Sequence, residues 1–171
     1  MSKIPVFVSC PTLLNDKQKE YNKLIDSLLA DFEFERRAIG KSDFAVETPL
    51  EEVLQLAKHC AGGLILGFEQ TYIESGEQKR GTEGAKVIKA PYLLATPWND
   101  IEAGILFTLE LPLLIYKEKN VYGGVFDVGS SRYFINELPT DLSLETEKLK
   151  MRQLFTRWAA KVMERYGSLR Y

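Results

Sequence analysis

Thr96-Pro-Trp-Asn-Asp-Ile-Glu-Ala-Gly-Ile-Leu-Phe-Thr-Leu-Glu-Leu-Pro-Leu-Leu-Ile-Tyr116 reads as a capped helix followed by a strand. Thr96 can cap the helix, and Pro97 suits the first helical position, where no amide proton is needed. Trp98, Ile101, Ile105 and Leu109 recur at helical spacing, which predicts the face turned toward the core. Pro112 then precedes the apolar run 113–116, short enough to be a strand buried on both faces. Glu102 conflicts with this pattern, because it falls inside the predicted apolar stripe. A carboxylate there costs on the order of several kcal/mol unless it is paired or used. Three uses are open. Glu102 can act as a nucleophile on an anomeric carbon. It can stabilise an oxocarbenium-like transition state. It can also be half of a structural ion pair with an arginine such as Arg36 or Arg37.

The rest of the chain repeats the strand–helix alternation. Residues 4–8 predict a buried strand ending at Ser9-Cys10-Pro11. A helix over 16–32 follows, capped by Asn15, with Tyr21, Leu24, Ile25, Leu28, Leu29 and Phe32 as its buried stripe. Residues 34–39 predict a second strand, closed by a turn at Gly40-Lys41-Ser42-Asp43. Thr48-Pro-Leu-Glu51 has the form of a capping box. The helix it opens is expected to bury Leu50, Val53, Leu54 and Ala57 and to end near Gly62. Residues 63–67 are a third apolar strand. Residues 69–94 break the rhythm, since their centre, 76–84, is polar and aperiodic. A connection of that length is usually functional or disordered. Residues 123–129 form another glycine-rich loop. A closing helix over 144–166 carries Met151, Leu154, Phe155, Trp158, Ala159 and Val162, a face that suits either core packing or a dimer surface.

Strands alternating with helices predict an α/β fold with a mainly parallel sheet of about five strands covered on both faces. Ligands of such sheets bind beyond the carboxyl ends of the strands. The candidate binding residues follow from that rim. Ser9 and Cys10 end the first strand, as pocket residues or as a terminating turn. Asp43 and Asp127 can hold ribose hydroxyls or bond their own backbones. Glu69 follows the third strand, facing substrate or solvent. Trp98 can stack on a base or pack in the core. Asn99 can hydrogen-bond a ligand or merely start the helix.

Composition excludes several classes. The chain has 171 residues, 45% of them hydrophobic, which predicts one domain over 1–171 with a full core. A net charge of -2 gives no footprint for nucleic acid. No apolar run is long enough to span a bilayer, and no signal peptide is apparent, so the expected compartment is the cytoplasm with both thiols reduced. Cys10, Cys60 and a lone histidine make no convincing metal site.

Glu102-Ala-Gly104, with Pro112 ten residues after the glutamate, resembles the catalytic helix of nucleoside 2-deoxyribosyltransferases. Thr96-Pro-Trp98-Asn99-Asp-Ile-Glu102 resembles the Ser-x-Trp-Cys-x-x-Glu of Toll/interleukin-1 receptor (TIR) domains that cleave NAD, with Thr96 for the serine and Asn99 for the cysteine. Residues 4–138 also resemble stand-alone bacterial TIR-like proteins. The resemblance implies a flavodoxin-like three-layer sandwich. It implies N-glycosidic cleavage or transfer on NAD or a related nucleotide or nucleoside, bound as substrate rather than cofactor, with Glu102 at C1′. It further implies a homo-oligomer and a role in bacterial defence signalling. A non-catalytic nucleotide sensor or TIR-like interaction module is the competing expectation. The chain departs from the deoxyribosyltransferases in lacking their Asp-x-Gly-Thr turn before the helix, since Gly81-Thr82 comes much earlier.

Overall fold

The computed structural model describes residues 3–39, 48–127, 129 and 135–168. In chain order its elements are β1 (Ile4–Ser9), α1 (Asp16–Asp31), β2 (Phe34–Arg37), α2 (Pro49–Lys58), β3 (Gly62–Gly67), β4 (Thr71–Gln78), β5 (Lys86–Leu94), α3 (Pro97–Thr108), β6 (Leu113–Lys117), β7 (Val121–Tyr122), a short 3-10 helix (Gly124–Phe126), β8 (Ile135–Glu137) and α4 (Glu145–Ser168). Among the described residues a five-stranded sheet runs β2-β1-β3-β6-β8, with every neighbouring pair parallel. This is the strand order of a flavodoxin-like sandwich, in which the order of strand addition reverses between β1 and β3.

Period-two alternation divides the core. Val6, Val8, Leu64, Leu66, Leu114 and Tyr116 face α1 and α4. Phe7, Ile65, Leu113 and Ile115 face α2 and α3. The apolar face of α4 lies in the first of these cores, with Phe155 and Val162 fully buried. Gly63 lets α3 approach the sheet: a Cβ there would sit 2.8 Å from Leu106 and 2.6 Å from Leu113. Gln18 ties the strand ends together. It completes the capping box with Asn15, and its Nε2 donates to the Glu69 carbonyl at 3.1 Å and to the Glu118 carboxylate at 2.9 Å.

Five expectations change. Residues 69–94 are neither irregular nor disordered but a β4–β5 antiparallel ribbon with a bulge between Ile73 and Ser75. Nearly all its residues are exposed or half-buried, so no alternation marked it in sequence. Its base joins β7 in parallel through Leu93 and Leu94. The buried face of α3 is Asn99, Ala103 and Leu106, whereas Trp98 and Ile101 are exposed. The apolar residues Ile101, Ile105 and Leu109 line a groove shared with Leu50 and Leu54 of α2, so the helix is apolar on two sides and its pattern alone does not select the inner one. Leu50 is accordingly exposed rather than buried. Thr48 does not accept from a backbone amide; its hydroxyl donates to Glu51 at 2.7 Å. Residues 123–129 are not wholly loop, because Gly124–Phe126 turns as a 3-10 helix.

Gly63→Ala is expected to destabilise the protein by about 1–3 kcal/mol through overpacking against Leu106 and Leu113. Urea denaturation checks this: the midpoint falls while the slope stays unchanged.

Candidate functional site

The cleft of interest opens where β1 and β3 diverge at their carboxyl ends. The helix after β1 goes to one face of the sheet, and the helix that returns from the β4–β5 ribbon goes to the other. The space between them holds about 320 Å³. Cys10, Pro11 and Thr12 line it from the loop after β1, Gln70 from beyond β3, Pro49 and Val53 from α2, and Thr96, Trp98 and Glu102 from α3.

α3 begins at this rim because Thr96 caps it, accepting from the Trp98 amide at 3.3 Å, and Pro97 holds its first turn. Three residues of that turn then take different environments. Trp98 is 43% exposed at the mouth, Asn99 is 0% exposed beneath it, and Asp100 is drawn sideways. Asp100 accepts from the Val125 amide at 2.7 Å and lies against Gly124, whose φ of +56° and lack of a Cβ make room for it. Glu102, one turn on, sits half-buried between the cleft and the inner face.

The surroundings of Glu102 bear on the ion-pair use left open by the sequence. Burial pushes its carboxyl above the ordinary carboxylate range, and a hydrogen bond with the Ser9 side chain acts in the opposite, smaller sense. Among the described residues no ion pair includes Glu102. Arg36 is held elsewhere, by Asp26 at 2.5 Å and Asn22 at 2.8 Å on the α1 side. The influences on Glu102 are burial and Ser9, with no guanidinium among them. An ionised carboxylate in this position has its burial only partly offset.

The fold brings together part of the predicted set. Glu102, Trp98 and Cys10 share the cleft. Ser9 and Asn99 lie behind it, 1% and 0% exposed, so neither is placed to touch a ligand directly. Cys10 is half-buried, its thiol donating to Asn22 Oδ1 at 3.7 Å. Glu69 belongs to a different small depression with Lys17, Tyr21 and Glu118. Its neighbour Gln70 reaches the cleft instead. Asp127 accepts from the Gly123 amide at 2.8 Å and so braces its own turn. Asp43 lies outside the described residues. Sequence reasoning missed Gln70 and the linking role of Gln18. For Gln18 a signal existed, its place three residues after Asn15 in a capping box.

The raised carboxyl of Glu102 has a stability consequence. Its folded form holds a proton more tightly than the unfolded chain does, so stability falls as pH rises from the ordinary value of 4.5 through the raised one. Glu102→Gln, uncharged at every pH, is therefore expected to melt higher than wild type at pH 7–8. The difference should close near pH 4, and thermal unfolding at both pH values checks it. Among the described residues no helix is long and apolar enough to cross a membrane. No protein-family model matches the chain, and no curated protein matches it.

Proposed function

We propose that this protein cleaves or transfers an N-glycosidic bond of NAD or a related nucleotide or nucleoside at the cleft holding Glu102. One observation carries the reading: the Glu102 carboxylate lines an open cleft at the chain reversal of the sheet, desolvated and without a cationic partner among the influences upon it. As the bond from C1′ to the base nitrogen breaks, its electron pair leaves with the base. Positive charge then spreads over C1′ and the ring oxygen. An ionised carboxylate beside that centre stabilises it electrostatically, or closes on C1′ as a nucleophile. Water or a second nucleophile completes hydrolysis or transfer. Trp98, at the mouth, supplies a ring face for a base.

The described lining favours a leaving group that needs no proton. Besides Glu102 and Cys10 it presents no other ionisable side chain. Nicotinamide departs from a pyridinium as a neutral molecule, whereas an ordinary purine departs as an anion unless an acid protonates it. NAD is thus the preferred substrate within the class. The TIR-like resemblance adds defence signalling and an assembled, homo-oligomeric working state to the proposal.

The test is release of free base from NAD and from a nucleoside panel, followed across protein concentrations. Turnover is expected with NAD, and Glu102→Gln should lose about 100-fold or more in kcat while remaining folded. Because the ionised carboxylate is the working form, activity should fall as pH drops through the raised Glu102 value, placing the acid limb above the usual carboxylate range. Base release that survives Glu102→Gln unchanged would overturn the assignment. Ligand binding with no turnover at any concentration would replace it with nucleotide sensing.

A further inference from the structure

We propose that the groove between α2 and α3 is a self-association surface, occupied by a second copy of this chain packed about a two-fold axis. This gives the assembled working state of the proposed function its contact surface and rests on that reading only for its purpose, since none of its evidence involves Glu102.

The groove holds about 610 Å³, more than the cleft beside it. Leu50 and Leu54 form one wall, and Ile101, Ile105 and Leu109 the other. Leu50 is 52% exposed and Ile101 41%. Apolar side chains gathered in this way on a surface mark an interaction site.

Gly104 is a second, independent observation. It lies in the interior of α3, where glycine is less favourable than alanine. Gly62, Gly63 and Gly67 are required by the fold, because a Cβ on each would come within 2.6 Å of a neighbouring side chain. A Cβ on Gly104 would meet nothing within 4 Å among the described residues. Packing within the described chain thus gives no reason for a glycine on this wall of the groove, whereas close approach of a second backbone from outside does. Thr108, one turn on, turns its hydroxyl back to donate to the Gly104 carbonyl at 2.9 Å. The middle of the groove can therefore be dried without stranding that hydroxyl.

Charge selects the occupant and its orientation. α2 and α3 both return against the parallel strands, so they run side by side in one direction. Glu51 and Asp100 stand at the amino end of the groove. At the other end Lys58 continues the stripe of Leu50 and Leu54. There too the Arg165 guanidinium donates to the Leu109 and Glu110 carbonyls, at 3.0 and 3.2 Å. A two-fold axis across the helices lays α2 on α2 and α3 on α3, antiparallel. Glu51 of each copy then faces Lys58 of the other, and Asp100 faces the Arg165 end. Gly104, midway along the α3 wall, falls near the axis, where the two α3 backbones come closest. An axis along the helices would instead set acid against acid. The contact is the same patch on both copies, so it closes at a dimer.

The experiment is sedimentation velocity on the full chain over a range of concentrations, with thermal melting as the control for folding. A monomer–dimer equilibrium is expected. Gly104→Lys enters open space in the single chain, so melting of dilute protein should hold or rise while the dimer weakens about tenfold or more. Ile101→Asp should weaken it likewise. Glu51→Lys should weaken association, and adding Lys58→Glu should restore it, because the two residues exchange across the axis. Gly104→Ala reads the same close approach should lysine unfold the chain. A dimer indifferent to the Gly104 and Ile101 substitutions overturns the proposal. A chain monomeric at every concentration also overturns it and leaves the groove to a different protein or an apolar ligand. A dimer with the expected sensitivities that releases no base from any substrate upholds the surface and sinks the glycosidic reading. Base release by a persistent monomer does the reverse.

Discussion

The site depends on one topological constraint. A parallel sheet must be covered on both faces, and the strand order β2-β1-β3-β6-β8 forces the chain to reverse between β1 and β3. Backbone therefore leaves the carboxyl ends of these two strands in opposite directions, and the cleft is the space they vacate. Residues reach it from the loop after β1, from Ile39 after β2, from the residue beyond Glu69, and from the amino-terminal halves of α2 and α3. Strand ends are fixed by ladders on both sides, so the walls of the cleft inherit the rigidity of the sheet.

Within that space the balance around Glu102 is between burial and hydrogen bonding. Desolvation disfavours the charge, and a single hydroxyl partly offsets it. A guanidinium at the same place would have neutralised the group and made it a strut. The arginine nearest in sequence logic, Arg36, is instead engaged by Asp26 and Asn22 on the far side of the sheet.

Much of the fold was legible because burial on both faces leaves near-continuous apolar strands, as in Val6-Phe-Val8 and Leu64-Ile-Leu66. Caps at Asn15 and Thr96 marked helix starts through chemistry that is local. The β4–β5 ribbon was illegible for the converse reason: with both faces largely in water, no residue type is constrained at period two. The inner face of α3 was misread because apolar residues on its outer side border the groove with α2, while the inner side opens with an amide. Glu102 stood out all the same, since a carboxylate among apolar neighbours is anomalous on either phase of the helix. The contact between Ser9 and Asn99 is not local, and no spacing rule predicts it.

The β4–β5 ribbon has a further meaning in how it closes. The Gln70 amide donates to the Leu94 carbonyl at 2.9 Å, so the polypeptide leaves and re-enters the domain through a gap one hydrogen bond wide. Stacking of Tyr92 on Tyr122, with ring centroids 5.0 Å apart, pins the stem from outside. An excursion tethered at its root in this way joins the core through Leu93 at its stem, while most of its outer residues stay exposed. Its length, tip and charge are free to drift or to be exchanged among descendants of this architecture without displacing the helix that carries the acid. The appendage is the part of the molecule where evolutionary novelty comes at the least structural risk.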